Sequence, residues 1–164
     1  MKRQRSVSMN WAAVRHAYVH FPLCRIRCSY CAFNVTTSNN PAWRNGFAEN
    51  VAASFRAQQP ASAAPLHTLY FGGGTPSLAT AAELRAMTEC FPRDADTEVT
   101  LELNPTLSKN AVTLEELRGL GVTRLSVGLQ SMDDGVLKKM LREHSAQTGL
   151  AAVEAAATVF GKER

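Results

Sequence analysis

Hydrophobic positions along the chain follow two alternating periods. A short β-prone run, "AYVHF" (17–21), ends at Pro22. After a cysteine-rich loop, Asn40-Pro41 supplies a helix N-cap and a proline at the first helical position. Trp43, Phe47, Val51 and Phe55 then recur every fourth residue, as on one face of a helix. "QQPASAAP" (58–65) breaks that helix and reads as a loop. The pattern repeats with "HTLYF" (67–71) as a strand and "GGGTPS" as a turn. Thr80 and Glu83 form a capping box for a helix carrying Leu84, Met87 and Phe91. "EVTLEL" (98–103) is a third strand, closed by Asn104-Pro105, and a short helix from Leu114 to Leu120 stops at Gly121. "TRLSVGLQ" (123–130) is a fourth strand. Asp133 caps the helix after it, and Ser145 caps a last helix bearing Leu150, Val153 and Phe160.

Strands alternating with helices at this spacing predict an α/β fold of about four βα units on a parallel sheet. Ligands of such folds gather at the carboxyl ends of the strands. Cys24, Gly73, Glu102 and Gln130 all fall there, so they should face one cavity.

Composition narrows the class. At 164 residues, 45% hydrophobic and 20% charged, the chain suits a soluble globular domain. No apolar run reaches the roughly 18 residues of a membrane span, and none reads as a secretory signal. The net charge of +4 is uneven: Lys2, Arg3, Arg5, Arg15, Arg25, Arg27 and Arg44 all precede the first acidic residue, Glu49. The basic residues are not interleaved with aromatics on one element, which argues against nucleic acid. Residues 1–16 read equally as a mitochondrial transit peptide or as a solvated tail. Arg25 and Arg27 lie inside the cysteine loop, where they can offset thiolate charge.

That loop, "CRIRCSYC", carries three of the chain's four cysteines, Cys24, Cys28 and Cys31. Tight, uneven spacing favours metal or redox chemistry over disulfides. Zinc would need a closing ligand from His20 or Cys90. Cys90 shares the apolar face of its helix and reads as a buried thiol, and His20 alternates with Val19 and Phe21 and reads as a packed histidine. Iron–sulfur clusters usually take four cysteines. Three therefore favour a cluster with one iron left open, with zinc as the alternative.

C-x3-C-x2-C after a first strand, with Tyr30 before the third cysteine, resembles the radical S-adenosylmethionine superfamily. "YVHFP", "FGGGTPS", "LELNP", "RLSVGLQS" and "REHS" resemble its branch of oxygen-independent coproporphyrinogen III oxidases and HemW-type heme chaperones. The resemblance runs from Tyr18 to the C-terminus. It implies a partial (β/α) barrel and a 4Fe–4S cluster on Cys24, Cys28 and Cys31, with the open iron chelated by S-adenosylmethionine. Tyr18 would sit beside cluster and cofactor, and Tyr30 near the adenine. Gly73, Gly74 and Thr75 would let backbone approach the methionine end, and Glu102 would face the ribose or the methionine. Gln130 would offer an amide and Arg142 a cation for the carboxylate. The chemistry implied is one-electron cleavage of S-adenosylmethionine to methionine and a 5′-deoxyadenosyl radical.

The oxidases follow the third cysteine with another, as C-x-C; here Ala32 and Phe33 follow Cys31. That departure favours the chaperone branch, which binds heme and passes it to respiratory proteins, over a porphyrinogen-oxidising enzyme. The implied partners are heme or a porphyrin, a heme-accepting respiratory protein and an electron donor. His16, His20, His67 and His144 are the candidate heme ligands, with none preferred. The expected location is the cytoplasm for a bacterial chain and the mitochondrion for a eukaryotic one. Against the family's six βα units and C-terminal domain, residues 17–164 are expected to form only the N-terminal part of the core, with an inactive truncated product as a further alternative.

Overall fold

The computed structural model describes residues 10–37, 46–58, 63–106 and 112–161. Strands β1 (His16–Phe21), β2 (Thr68–Gly73), β3 (Glu98–Leu103) and β4 (Arg124–Val127) lie side by side in chain order, every neighbouring pair parallel. The sheet is open, a partial barrel. Between and after the strands come helices α1 (Phe47–Gln58), α2 (Ala81–Glu89), α3 (Leu114–Gly119), α4 (Asp134–Lys139) and α5 (Ala146–Phe160).

Successive strand residues point to opposite faces, and the two faces differ. Val19, Phe21, Leu69, Phe71, Val99, Leu101 and Leu103 are buried in one cluster with Ala48, Ala52, Leu84, Met87, Leu117 and Phe160 of the helices. The register puts Tyr18, Tyr70, Thr100 and Arg124 in one row on the other face, with Glu102 beside Ser126 further along. Parallel sheets usually carry apolar residues on both faces. Here the second face is polar, and its groups bond one another. Tyr70 donates to Glu102 (2.9 Å), Thr100 donates to Glu98 (3.1 Å), and Arg124 pairs with Glu98 (3.5 Å).

Helix starts follow the expected chemistry. Thr80 and Glu83 form a capping box, Asp133 accepts from the Val136 N–H, and Ser145 caps α5. A further box, Thr113 with Glu116, starts α3. Phe47, Val51 and Phe55 pack against the core as their spacing predicts. Asn40, Pro41, Trp43 and Arg44 lie outside the described residues, as do Lys2, Arg3 and Arg5.

Among the residues described before β1, Trp11, in a 3-10 turn, meets Phe55 edge-on at 5.2 Å, and Val14 packs on the core. Three expectations are corrected. β2 runs through Gly72 and Gly73, because Phe21 pairs with Gly73 in register, so two of the three glycines are strand rather than turn. β4 stops at Val127, where the chain bends instead of continuing to Gln130. Finally, α5 buries Gly149, Ala156 and Phe160 and leaves Leu150 exposed, because close approach at Gly149 turns its neighbour outward. Among the described residues no helix is long and apolar enough to cross a membrane.

The two faces of α5 and the sheet give a stability test. Phe71 is fully buried and Leu150 is 44% exposed. Phe71→Ala should lower the unfolding free energy by about 3–5 kcal/mol and Leu150→Ala by less than about 0.5 kcal/mol, as measured by urea denaturation.

Candidate functional site

At the carboxyl ends of the strands the chain encloses a cavity of about 340 Å³. Cys24, Gly73, Glu102 and Gln130, one at or beyond the carboxyl end of each strand, all line it, together with Cys28, Cys31, Tyr30, Gly74, Thr75 and Arg142. The four strand ends therefore do converge on one space.

Its first wall is the cysteine loop. The loop is tied at its base, where Cys24 N–H donates to Thr36 O (3.0 Å) and Thr36 N–H to Pro22 O (2.7 Å). Its far side docks on the α4–α5 turn. Ser29 donates through Oγ to Lys139 O (2.9 Å) and through N–H to Met140 O (3.4 Å), and Arg25 pairs with Glu143 at 3.1 Å. Arg27 donates to the Cys31 carbonyl (3.4 Å). Thus Arg25 is already paired with a carboxylate.

The thiols face opposing influences. Burial pushes the Cys24 thiol up; the Thr75 hydroxyl, 3.7 Å from its Sγ, pulls it down, and the Cys31 and Cys28 thiols raise it again. Arg142 Nη1 lies 3.5 Å from Cys28 Sγ and acts in the lowering sense on Cys24. Burial, then Cys28, pushes the Tyr30 phenol up, so its hydroxyl remains a donor.

The second wall is the β2 turn, and here the glycines answer to the protein first. A Cβ on Gly73 would stand 2.5 Å from His20 Nδ1, and one on Gly74 would stand 2.5 Å from Leu23 O. Gly73, at φ +107, adopts a conformation that glycine takes freely. The N–H groups of Gly73, Gly74 and Thr75 are engaged by Glu102 Oε2 (3.1 Å), Phe21 O (2.6 Å) and Leu23 O (2.8 Å). Glu102 is thereby fixed, with Tyr70 on its other oxygen.

The third wall is the β4 loop with the α4–α5 turn. α3 and α4 end alike: the N–H after the cap residue returns to the C2 carbonyl, and the next N–H to the C3 carbonyl. In α3 the left-handed residue is Gly121; in α4 it is Leu141, at φ +58. A left-handed non-glycine residue costs about 1–2 kcal/mol, and this one turns the chain so that Arg142 enters the cavity. The Arg142 guanidinium donates from Nη2 to Gly128 O (2.8 Å), while its Nε is buried without a partner. Gln130 is also left-handed, at φ +65. Strained backbone of this kind clusters at functional sites.

Some expected residues lie elsewhere. Tyr18 is off the cavity wall: it is 57% exposed, stacks on Tyr70 at 5.9 Å, and its hydroxyl meets His20 Nδ1 at 3.2 Å. It lies on the polar face of the sheet, as Glu102 does, but one row earlier along the strands. Cys90 is buried and donates to Met87 O, away from the other thiols. His20 Nε2 bonds Asn34 O (2.8 Å), and His144 Nε2 bonds Leu129 O (3.1 Å). His16 and His67 sit exposed, 5.7 Å apart, at the opposite end of their strands. Asn104, Gly128 and Glu143 line the cavity unforeseen; only Asn104, directly behind a strand, carried a positional signal.

This donor set defines a class. Residues 18–162 match the radical SAM superfamily, and the chain belongs to that superfamily. A mitochondrial radical S-adenosyl methionine domain-containing protein 1 of Bos taurus is 39% identical over an alignment of 150 residues, covering 87% of this chain and 33% of the relative. The Mycobacterium tuberculosis heme chaperone HemW is 37% identical over 154 residues, covering 87% of this chain and 38% of the relative. The structure of Escherichia coli coproporphyrinogen III oxidase (HemN) superposes with a TM-score of 0.77 at 24% identity, over 90% of this chain and 35% of that one, a likeness of fold. The chain thus spans about a third of the length of the curated relatives it matches.

Superfamily membership implies a 4Fe–4S cluster and S-adenosylmethionine, and the residues present fit them. Three thiols border one cavity with a guanidinium against one sulfur, and Arg142 Nε is a buried donor still without an acceptor. Among the described residues no three His, Cys, Asp or Glu side chains group as ligands of a single ion do. The three thiols would hold a multi-iron cluster rather than a single ion.

Two measurements test this geometry. Leu141→Gly should raise the unfolding free energy of the cluster-free protein by about 1 kcal/mol by relieving the left-handed strain, read by chemical denaturation. Because Cys24 is pushed upward, its thiolate forms late. Iodoacetamide labelling of Cys24 in the cluster-free protein, followed by mass spectrometry, should still be climbing above about pH 9, where an ordinary cysteine is mostly ionised.

Proposed function

We propose that this chain is the cluster-bearing part of a heme chaperone, with Cys24, Cys28 and Cys31 holding a 4Fe–4S cluster and the remaining walls of the same cavity holding S-adenosylmethionine. The observation that carries the reading is the meeting of the three thiols with Glu102, Gln130 and Arg142 around one cavity. When bound, the cluster and cofactor supply one-electron chemistry, and the protein orients and shields them.

Each residue has a task its surroundings support. Arg142 offsets thiolate charge through Nη1 and offers its unpartnered Nε to a carboxylate. Glu102, held by Tyr70 and the Gly73 N–H, accepts from an ammonium or a hydroxyl. Gln130 presents an exposed amide from a fixed turn. Tyr30, which lines the cavity beside Cys28, would lie toward the adenine. Tyr18, on the polar sheet face, contributes through its stack with Tyr70 rather than from the cavity wall.

Heme delivery is favoured over porphyrinogen oxidation by Ala32 and Phe33, which stand where the oxidases carry a further cysteine, and by the relatives named as heme chaperones. Heme, a heme-accepting respiratory protein and an electron donor are the partners this reading requires. Relatives named as mitochondrial and relatives from bacteria support a mitochondrial location for a eukaryotic chain and a cytoplasmic one for a bacterial chain. Of the four histidines, His16 and His67 are the exposed ones, and of these His16 has Nδ1 held by Thr68 at 2.8 Å with Nε2 left for a ligand.

Anaerobic reconstitution followed by EPR tests the reading. A reduced 4Fe–4S signal that shifts on adding S-adenosylmethionine is expected, together with stoichiometric heme binding in a Soret titration and no coproporphyrinogen turnover. A cluster indifferent to the cofactor overturns the cavity assignment, and turnover without heme binding favours the oxidase.

A further inference from the structure

His144 is buried, 4% exposed, on the turn between α4 and α5. No charge faces it at bonding distance, and its Nδ1 is buried without a partner. Its one bond is from Nε2 to the Leu129 carbonyl, 3.1 Å away, so Nε2 carries the proton. That carbonyl also accepts the Ser131 N–H at 2.8 Å. An N–H returning to the residue two before it, around a residue at φ +65, makes a γ-turn of the strained hand centred on Gln130. Glutamine has no intrinsic preference for that conformation. What holds it is therefore the surroundings, and the Leu129 carbonyl is where they act.

The fit around this contact is close. The Cδ2–Nε2 edge of His144 faces Gly149, where an added Cβ would stand 3.1 Å from Cδ2 and 2.4 Å from Leu129 Cδ1. Gly149 thus lets α5 press both the imidazole and Leu129 together. The preceding residue but one, Arg142, ties Gly128 O from the same turn. Two consecutive carbonyls of the β4 loop, those of Gly128 and Leu129, are held by one segment, Arg142-Glu143-His144.

We propose that His144 is a positioning residue of the cofactor site: its imidazole N–H fixes the Leu129 carbonyl and so holds the left-handed Gln130 with its amide toward the cavity. The proposal rests on the reading that the cavity takes S-adenosylmethionine. Because Nδ1 has no partner, the ring contributes one donor only. A glutamine can place an N–H near Nε2, whereas an asparagine is too short to do so.

Equilibrium dialysis of S-adenosylmethionine against the cluster-reconstituted chain separates the outcomes. His144→Asn should raise the Kd about tenfold, equivalent to about 1.4 kcal/mol. His144→Gln should stay within about threefold of the wild type, and the two variants should melt at similar temperatures. Gln130→Ala should weaken binding about as much as His144→Asn. Wild-type affinity in His144→Asn beside a weakened Gln130→Ala overturns the proposal, as does equal loss in the Asn and Gln variants. Undiminished binding by Gln130→Ala, or none by the wild type, overturns instead the cofactor reading beneath it.

Discussion

The site depends on a contact between distant parts of the chain: the cysteine loop lying against the α4–α5 turn. Ser29 reaches Lys139 across 110 residues, and Arg142 reaches Cys28 across 114. The loop has no helix or strand of its own among residues 24–31. Its shape is therefore borrowed from the fourth βα unit, and the cavity is complete only when β1 and that unit stand at their proper separation. The sheet sets that separation through its three successive parallel pairings. Loss of any strand would separate the walls, so packing far from the cavity is part of its construction.

The polar face of the sheet follows the same logic. Its carboxylates and hydroxyls bond one another in short chains, Tyr70 to Glu102 and Thr100 to Glu98 to Arg124. Burial, then the Glu102 bond, pushes the Tyr70 phenol up, which keeps it a donor. Satisfied groups of this kind cost little to bury, and they leave Glu102 with a single fixed direction. The apolar face supplies cohesion, while the polar face supplies orientation.

Much of this was legible in the sequence because it is local. Period-two runs marked the strands, and Thr80, Asp133 and Ser145 marked helix starts by side-chain chemistry that acts within three residues. The strand-end rule brought Cys24, Gly73, Glu102 and Gln130 together correctly. What stayed hidden was non-local or conformational. Nothing in "GLQS" signals a left-handed glutamine, and nothing in "KML" signals a leucine where α3 uses glycine. The crowding of Gly73 by His20 and of Gly74 by Leu23 depends on how two separate strands meet. Tyr18 shares the polar face with Glu102 but stands one row earlier along the sheet, a distance that motif position does not carry.

The reach from Cys28 to Arg142 also bears on when a cluster can be installed. The three thiols leave the ribosome early, whereas the guanidinium beside them is made 114 residues later. At about 5–20 residues per second that is a delay of roughly 6–23 s. Throughout it the thiols lack the Arg142 guanidinium and the turn against which their loop is docked. The walls of the cavity therefore come together only once the fourth βα unit has been made and has folded.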